Sequence, residues 1–237
     1  MHRTSAILLA AGSGVRFGGR WPKQFAPLGG KPLLAHAVDR FVASPDIETI
    51  VVVTHPLHLE RTRALFEGDG YRKVEMILGG GETRQISAYL GLQALPDPVD
   101  RVVIHDAARP LLTLDMIHAV VATLDRWRAA TLAAPSTDTI VEVDREERVV
   151  TVPPRSFLRR VQTPQAFHRQ VIEDAHRMAL EQGVDDASDD CGLVHRFRLA
   201  EVMAVPARGV NMKITCAEDL VLAEQILATR RPGENNG

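Results

Sequence analysis

Four short apolar runs punctuate the first half of this chain, at Thr4–Ala10, 48–54, 73–78 and Arg101–Asp106. They are rich in Val, Ile and Leu, and most are apolar at consecutive positions rather than alternate ones. Between them lie helical patterns at Leu33–Ala43, 57–66 and 83–95, and another follows at 114–127. A strand with no polar face has to be covered on both sides, and an intervening helix lets the next strand return parallel to the last. The pattern implies an α/β fold, a three-layer α/β/α sandwich with a mainly parallel sheet. In such sheets ligands sit beyond the carboxyl ends of the strands.

The rhythm changes after residues 130–135. Residues 138–155 hold two β-prone runs around the charged turn 144–148, which reads as a hairpin. A two-stranded hairpin alone is marginal in water. This arm, about 137–156, is therefore expected to pack on a second subunit and build a homodimer. Helical patterns return at 169–182 and 217–228. With no internal repeat and no long linker, residues 1–230 read as one domain with a projecting arm, and 231–237 as a disordered tail.

The net charge of -2 over 237 residues lacks the basic excess that nucleic-acid binding requires, so no nucleic-acid partner is expected. No apolar run approaches the roughly 18 residues of a membrane helix, and none is expected to meet a membrane. The run at 6–11 is too short for a signal peptide and leads straight into a glycine turn. Two cysteines, Cys191 and Cys216, suggest neither a disulfide framework nor a zinc site and fit a reduced, cytoplasmic setting. The nine histidines are scattered and read as structural; His105 reads as a packed strand-end residue rather than a base.

The first run opens into LAAGSGVRFGGRWPKQF, with Gly12, Gly14, Gly18 and Gly19 among the cations Arg16, Arg20 and Lys23. Glycines here permit positive φ and let backbone N–H groups approach an anion. The dinucleotide fingerprint does not fit. Gly12, Gly14 and Gly18 are spaced one residue too long, and the second strand ends in VVVTHP without an acid for a ribose. The Gly-Lys-Ser/Thr ending of a P-loop is absent too. A loop wrapped around a nucleoside triphosphate accounts for the cations, with Arg16 and Lys23 meeting it from two sides and Pro22 limiting the loop's freedom. The competing reading is a solvated surface turn whose cations hold nothing.

Five segments, LAAGSGVRFGGRWPKQF, GGGETRQIS, HDAARP, QTPQAF and NMKIT, follow in order those of the 2-C-methyl-D-erythritol 4-phosphate cytidylyltransferases. The chain resembles that family from about Thr4 to Leu227. The resemblance implies a Rossmann-like sandwich, a homodimer, and transfer of a cytidylyl group from CTP to 2-C-methyl-D-erythritol 4-phosphate in the non-mevalonate isoprenoid pathway, releasing pyrophosphate, with Mg²⁺ as cofactor. It implies that Arg16, Lys23, Arg155 and Lys213 are catalytic. Ala10, Ala11, Gly12, Gly14, Gly81, Glu82, Ser87 and Ala107 would hold the nucleotide, with Gly81, Glu82 and Ser87 selecting cytosine. Asp106, Arg109, Thr139, Thr163 and Ser188 would bind the acceptor, with Asp106 also beside the metal and Arg155 reaching in from the partner's arm. Asn211 is implied near metal or nucleotide.

Blander readings stand beside these. Glu82 and Thr83 can simply start a helix, and Asp106 can cap a turn and pair with Arg109. One segment departs from the family pattern: in ASDDCGLV, Ser188 replaces a threonine and Cys191 follows Asp190. The DDCGLV form leaves ribitol 5-phosphate or another alditol phosphate open as acceptor. A nucleotide-binding regulatory module without turnover is the alternative from another class, opposed by the full set Arg16, Lys23, Asp106 and Lys213. A nicotinamide oxidoreductase is disfavoured by the missing ribose acid.

Overall fold

In the computed structural model, residues 2–12, 14, 17–18, 21–185 and 187–229 are described. β1 (Thr4–Ala10) is buried along its whole length, as are β4 (Thr49–Thr54) and β6 (Arg101–Asp106), so these strands are covered on both faces as their composition demands. β1 pairs in parallel with β4 on one side and β6 on the other, and β5 (Val74–Gly79) extends the sheet beyond β4. Alternate residues go to opposite layers. Ala6, Leu8 and Val52 join α1 (Leu33–Ala43) and α4 (Leu114–Thr123) in one core, while Ile7, Leu9 and Val53 join α3 (Arg84–Gln93) and α5 (Arg169–Glu181) in the other.

The sheet has seven strands in the order β11-β7-β10-β6-β1-β4-β5, with β7 at Ala129–Pro135, β10 at Arg159–His168 and β11 at Val202–Pro206. β10 runs antiparallel to both its neighbours, β6 and β7, while β11 lies parallel to β7. Strand patterning predicts neither β10 nor β11. β10 carries Arg159, Arg160, Gln162, Thr163, Pro164 and Gln165, a composition that resembles a loop. Gln162, Thr163 and Gln165 find tertiary partners while Arg159 and Arg160 stay exposed, and the pairing with β7 shifts register between Gln162 and Gln165, around the proline. A short helix, α6 (Asp190–Arg196), was also unmarked by periodicity.

Helix boundaries differ in detail from the pattern. Residues 57–66 divide into a 3₁₀ turn at Pro56–His58 and α2 (Leu59–Leu65), because Pro56 starts the turn one residue earlier. α4 ends at Thr123, short of Trp127. A small hairpin, β2 (Pro27–Leu28) and β3 (Lys31–Pro32), joins α7 (Ala217–Thr229) in a third core with Phe17, Leu28, Leu33, Leu111, Ile214 and Ala223. This third core braces the glycine turn against the segment carrying Lys213.

The expected hairpin is present as β8 (Glu142–Val143) and β9 (Val149–Thr151), shorter than the apolar pattern suggests. The Asp144 carboxylate ties its turn, accepting from the backbone N–H of Glu146 and of Arg148 at 3.0 Å each. From Thr139 to Val152 every residue except Asp144 is exposed. The base is joined by the Ser136 N–H donating to Leu158 O at 3.3 Å. The tail 231–237 lies outside the described residues.

Candidate active site

From β1 the chain steps outward to β4 and β5, then returns to the opposite side of β1 as β6. Strand order reverses between β1 and β6, and a crevice opens at such a point beyond the strand ends. A cleft of about 380 Å³ lies there. Of the residues singled out above, Ala10, Ala11, Gly12, Gly14, Lys23, Gly81, Glu82, Ser87, Asp106, Ala107 and Lys213 line it.

One wall is nearly pure backbone. The Ala107 N–H donates to Leu9 O at 3.0 Å, continuing the β1–β6 ladder past the strand ends. The Gly80 N–H donates to Thr54 O at 2.7 Å and ties its turn to the end of β4. A side chain at Gly80 would overlap Ala11 Cβ and come within 2.7 Å of Ser87 Oγ, so only glycine permits this approach. Thr83 caps α3 by accepting from the Ile86 N–H at 3.1 Å. The Ser87 hydroxyl donates to Thr83 O at 2.9 Å and accepts from the Gly81 N–H at 3.2 Å, which locks the turn that faces the cleft.

Across the cleft, Gly14 adopts φ +65°, and a Cβ there would press 3.2 Å from Lys23 Cβ. Lys23 opens the 3₁₀ turn Lys23–Phe25 directly after Pro22. Arg16 lies outside the described residues.

The floor is charged. Lys213 Nζ donates to Asp106 Oδ2 at 2.6 Å, and Arg84 Nε donates to Asp106 Oδ1 at 2.9 Å. Burial alone would raise the Asp106 carboxyl, but the Arg84 guanidinium and Lys213 ammonium outweigh it and hold it well below the usual carboxylate range. Arg109 does not take the pairing role with Asp106; its Nη1 donates to Asn211 O at 2.8 Å. Thr163 is buried behind the floor, where its hydroxyl accepts from the Asp106 N–H at 3.0 Å and meets His105 Nδ1 at 3.1 Å. His105 is fully buried, and that burial lowers its pKa to about 4, leaving a neutral ring. Asn211 donates to Gln162 Oε1 and Thr163 O, at 3.1 and 2.8 Å, beneath the floor.

The other expected residues stand apart from the cleft. Thr139 is exposed on the arm, Arg155 is exposed in the turn Arg155–Phe157, and Ser188 is exposed just before α6. Arg155 Nη1 donates to Thr137 O at 3.3 Å, holding its guanidinium at the arm's base.

Sequence reasoning missed Arg84, although it lies inside GGGETRQIS and lines the cleft. A signal was available. Arg84 is the first residue of α3, where the helix dipole disfavours a cation, so a charge there calls for carboxylate partners. It also missed Asp190 and His176, which lie behind Arg84.

Among the described residues, no three His, Cys, Asp or Glu side chains gather as a metal cage. Glu82 and Asp106 are the carboxylates on the lining. Such a donor set fits a hard divalent cation held by one or two carboxylates and by a ligand's own phosphates.

The family model for "IspD: 2-C-methyl-D-erythritol 4-phosphate cytidylyltransferase" matches residues 4–229. The chain belongs to this family. A 2-C-methyl-D-erythritol 4-phosphate cytidylyltransferase of Streptomyces avermitilis is 40% identical over 238 residues, covering 97% of this chain and 93% of the relative. The crystal structure of 4-diphosphocytidyl-2C-methyl-D-erythritol synthase from Anaerococcus prevotii superposes with a TM-score of 0.85 at 27% identity, covering 96% of this chain and 99% of that one. The Thermus thermophilus cytidylyltransferase gives 0.73 at 30% identity, covering 94% and 98%. These relatives carry the same acceptor in their names, and the alditol phosphate alternative gains no support from them. Among the described residues, no helix is long and apolar enough to cross a membrane.

Proposed function

We propose that the cleft transfers the cytidylyl group of CTP to 2-C-methyl-D-erythritol 4-phosphate and releases pyrophosphate. One observation carries this reading beyond family membership: a backbone-walled slot with Lys23 on one side and the Asp106–Lys213 pair on its floor. An oxygen of the acceptor phosphate attacks the α-phosphorus. The bond to the oxygen bridging to the β-phosphate breaks, and its electron pair leaves with pyrophosphate. Two anions meet and charge grows on the leaving group, so fixed cations and positioning are worth more than a covalent nucleophile.

Lys23 is the cation for the leaving phosphates, joined by Arg16. Lys213, oriented by Asp106, is the cation for the acceptor phosphate. The acceptor phosphate is already ionised and needs no general base, in keeping with the neutral, buried His105. Gly81, Glu82 and Ser87 present the turn that reads the base, and Ala10, Ala11, Gly12, Gly14 and Ala107 line the nucleotide. Asp106 would hold Mg²⁺, which would supply positive charge against the negative phosphates.

Arg109, Thr139, Thr163 and Ser188 complete the acceptor's surroundings. Thr139 and Arg155 come from a partner subunit's arm in a homodimer, supported by the exposed apolar surface of that arm: Val150 is 62% and Phe157 82% exposed. Free Cys191 and Cys216 suit a reducing cytoplasm. The test is pyrophosphate release by purified protein with Mg²⁺, CTP or UTP, and a panel of polyol phosphates. Release is expected with CTP and methylerythritol phosphate. Equal use of UTP would remove base selection, and preference for ribitol 5-phosphate would reassign the acceptor.

A further inference from the structure

Behind the floor of the cleft lies a buried polar web that the reaction as described does not use. Arg84 forks between two carboxylates: Nε donates to Asp106 Oδ1 at 2.9 Å and Nη1 to Asp190 Oδ2 at 2.8 Å. The second oxygen of Asp190 meets His176 Nε2 at 3.0 Å, and the side chains of Asp190 and His176 are each 1% exposed. The Asp190 main chain is held as well. Gln165 Oε1 accepts from the N–H groups of Asp190 and Cys191 at 3.1 and 3.2 Å. Gln165 Nε2 in turn donates to Thr131 Oγ1 and Asp189 Oδ2 at 3.0 and 2.8 Å. Strands β7 and β10 thus hold the Asp190 main chain, while His176 of α5 holds the carboxylate that pairs with Arg84.

The two cations on Asp106 differ in freedom. Lys213 is 39% exposed and ends in a single ammonium that can turn to an incoming phosphate. Arg84 is 23% exposed, and its planar fork is committed to two anions at once. We propose that Arg84 is a positioning residue of the transfer reaction, fixed by the Asp190–His176 anchor, which keeps the Asp106 carboxylate in place while Lys213 moves to the acceptor phosphate. Arg84 acts through Asp106 and leaves nucleotide affinity to the backbone wall. This rests on the cytidylyl-transfer reading above.

The test compares the parent enzyme with Arg84→Ala and Asp190→Asn. Misplacing a catalytic group by about an ångström costs about 10²-fold in rate, so Arg84→Ala should lose about that much kcat while its KM for CTP stays within about threefold. Guanidinium at low millimolar concentration should recover at least about tenfold of kcat in Arg84→Ala and none in the parent, with Tm unmoved. Asp190→Asn keeps the side-chain volume and should lower kcat in the same direction, by less; it decides the matter if Arg84→Ala does not fold. In a crystal structure of either variant, the Asp106 carboxylate should have rotated from its present position. An unchanged kcat would overturn the proposal, as would a lost kcat that guanidinium does not restore or an Asp106 carboxylate left in place. Should the parent itself release no pyrophosphate, the functional reading fails, and the Asp106 position in the variant structures still decides the role of Arg84.

Discussion

The floor of the cleft and the arm are built on opposite terms. Beneath the floor, Thr163, Gln165, His176 and Asp190 are polar and buried, and each is held by named hydrogen bonds from distant elements. On the arm, Val143, Val149, Val150 and Val152 are apolar and exposed. The first region inverts the usual burial rule by pairing Asp106, Arg84 and Asp190 with opposite charges; the second inverts it by leaving surface that one chain alone does not cover. Changes to the floor should therefore damage stability and catalysis together within a protomer. Changes to the arm should damage assembly and leave the protomer's fold alone.

The largest expected effect lies in the floor. Asp190→Ala removes the inner counter-ion of Arg84, and breaking a buried pair from one side costs about 3–5 kcal/mol. The lower end is expected, because Asp106 still holds the guanidinium. Urea unfolding measures it, and a loss under about 1 kcal/mol would erase the contrast between the two regions. The same pair has a pH signature. Burial raises the Asp190 carboxyl, but Arg84 and His176 outweigh burial and lower it from its ordinary value of 3.8. A carboxylate with a lowered folded pKa stabilises above its unfolded pKa, and that contribution is lost as pH falls through the folded value. The stability gap between parent and Asp190→Ala should hold near neutrality and narrow below about pH 4.

The smallest thermodynamic effect belongs to the arm. Val150→Glu places a charge on surface that is already exposed, so protomer stability should stay within about 0.5 kcal/mol. Its oligomeric state should change: sedimentation should show a dimer for the parent and a monomer for the variant. A Val150→Glu protein that unfolds readily as a monomer would mean that the arm supports the protomer's own core.

How far the sequence alone reaches follows the same division. β1, β6 and α1 are legible to the residue because unbroken apolar runs and a clear helical period leave no competing fold. Gly12, Gly14 and Asp106 stand out in short local segments, Lys213 enters through the resemblance carried by NMKIT, and all four line the cleft. β10 is not, since its polar residues become tolerable only when Thr131, Asp189 and Asp190 close around Gln165. Nor is the Arg84–Asp190 bridge, whose partners lie 106 positions apart and obey no local period. Arg155 enters only through the family resemblance, and its own chain's cleft does not include it.

That last separation makes the shared site the claim most open to direct attack. Lys23→Ala disables the cleft of its own chain, and loss of one such electrostatic contact lowers kcat by about 10²–10³-fold. Arg155→Ala, if the arm crosses a two-fold axis, disables the cleft of its partner. Mixing the two inactive variants and allowing subunits to exchange places both lesions in one site of each mixed dimer and leaves the other site whole. Pyrophosphate release should return to about a quarter of the parent's rate after equal mixing, though neither variant has it alone. Mixed dimers confirmed by mass that remain inactive would place Arg155 in service of its own chain and contradict the shared site.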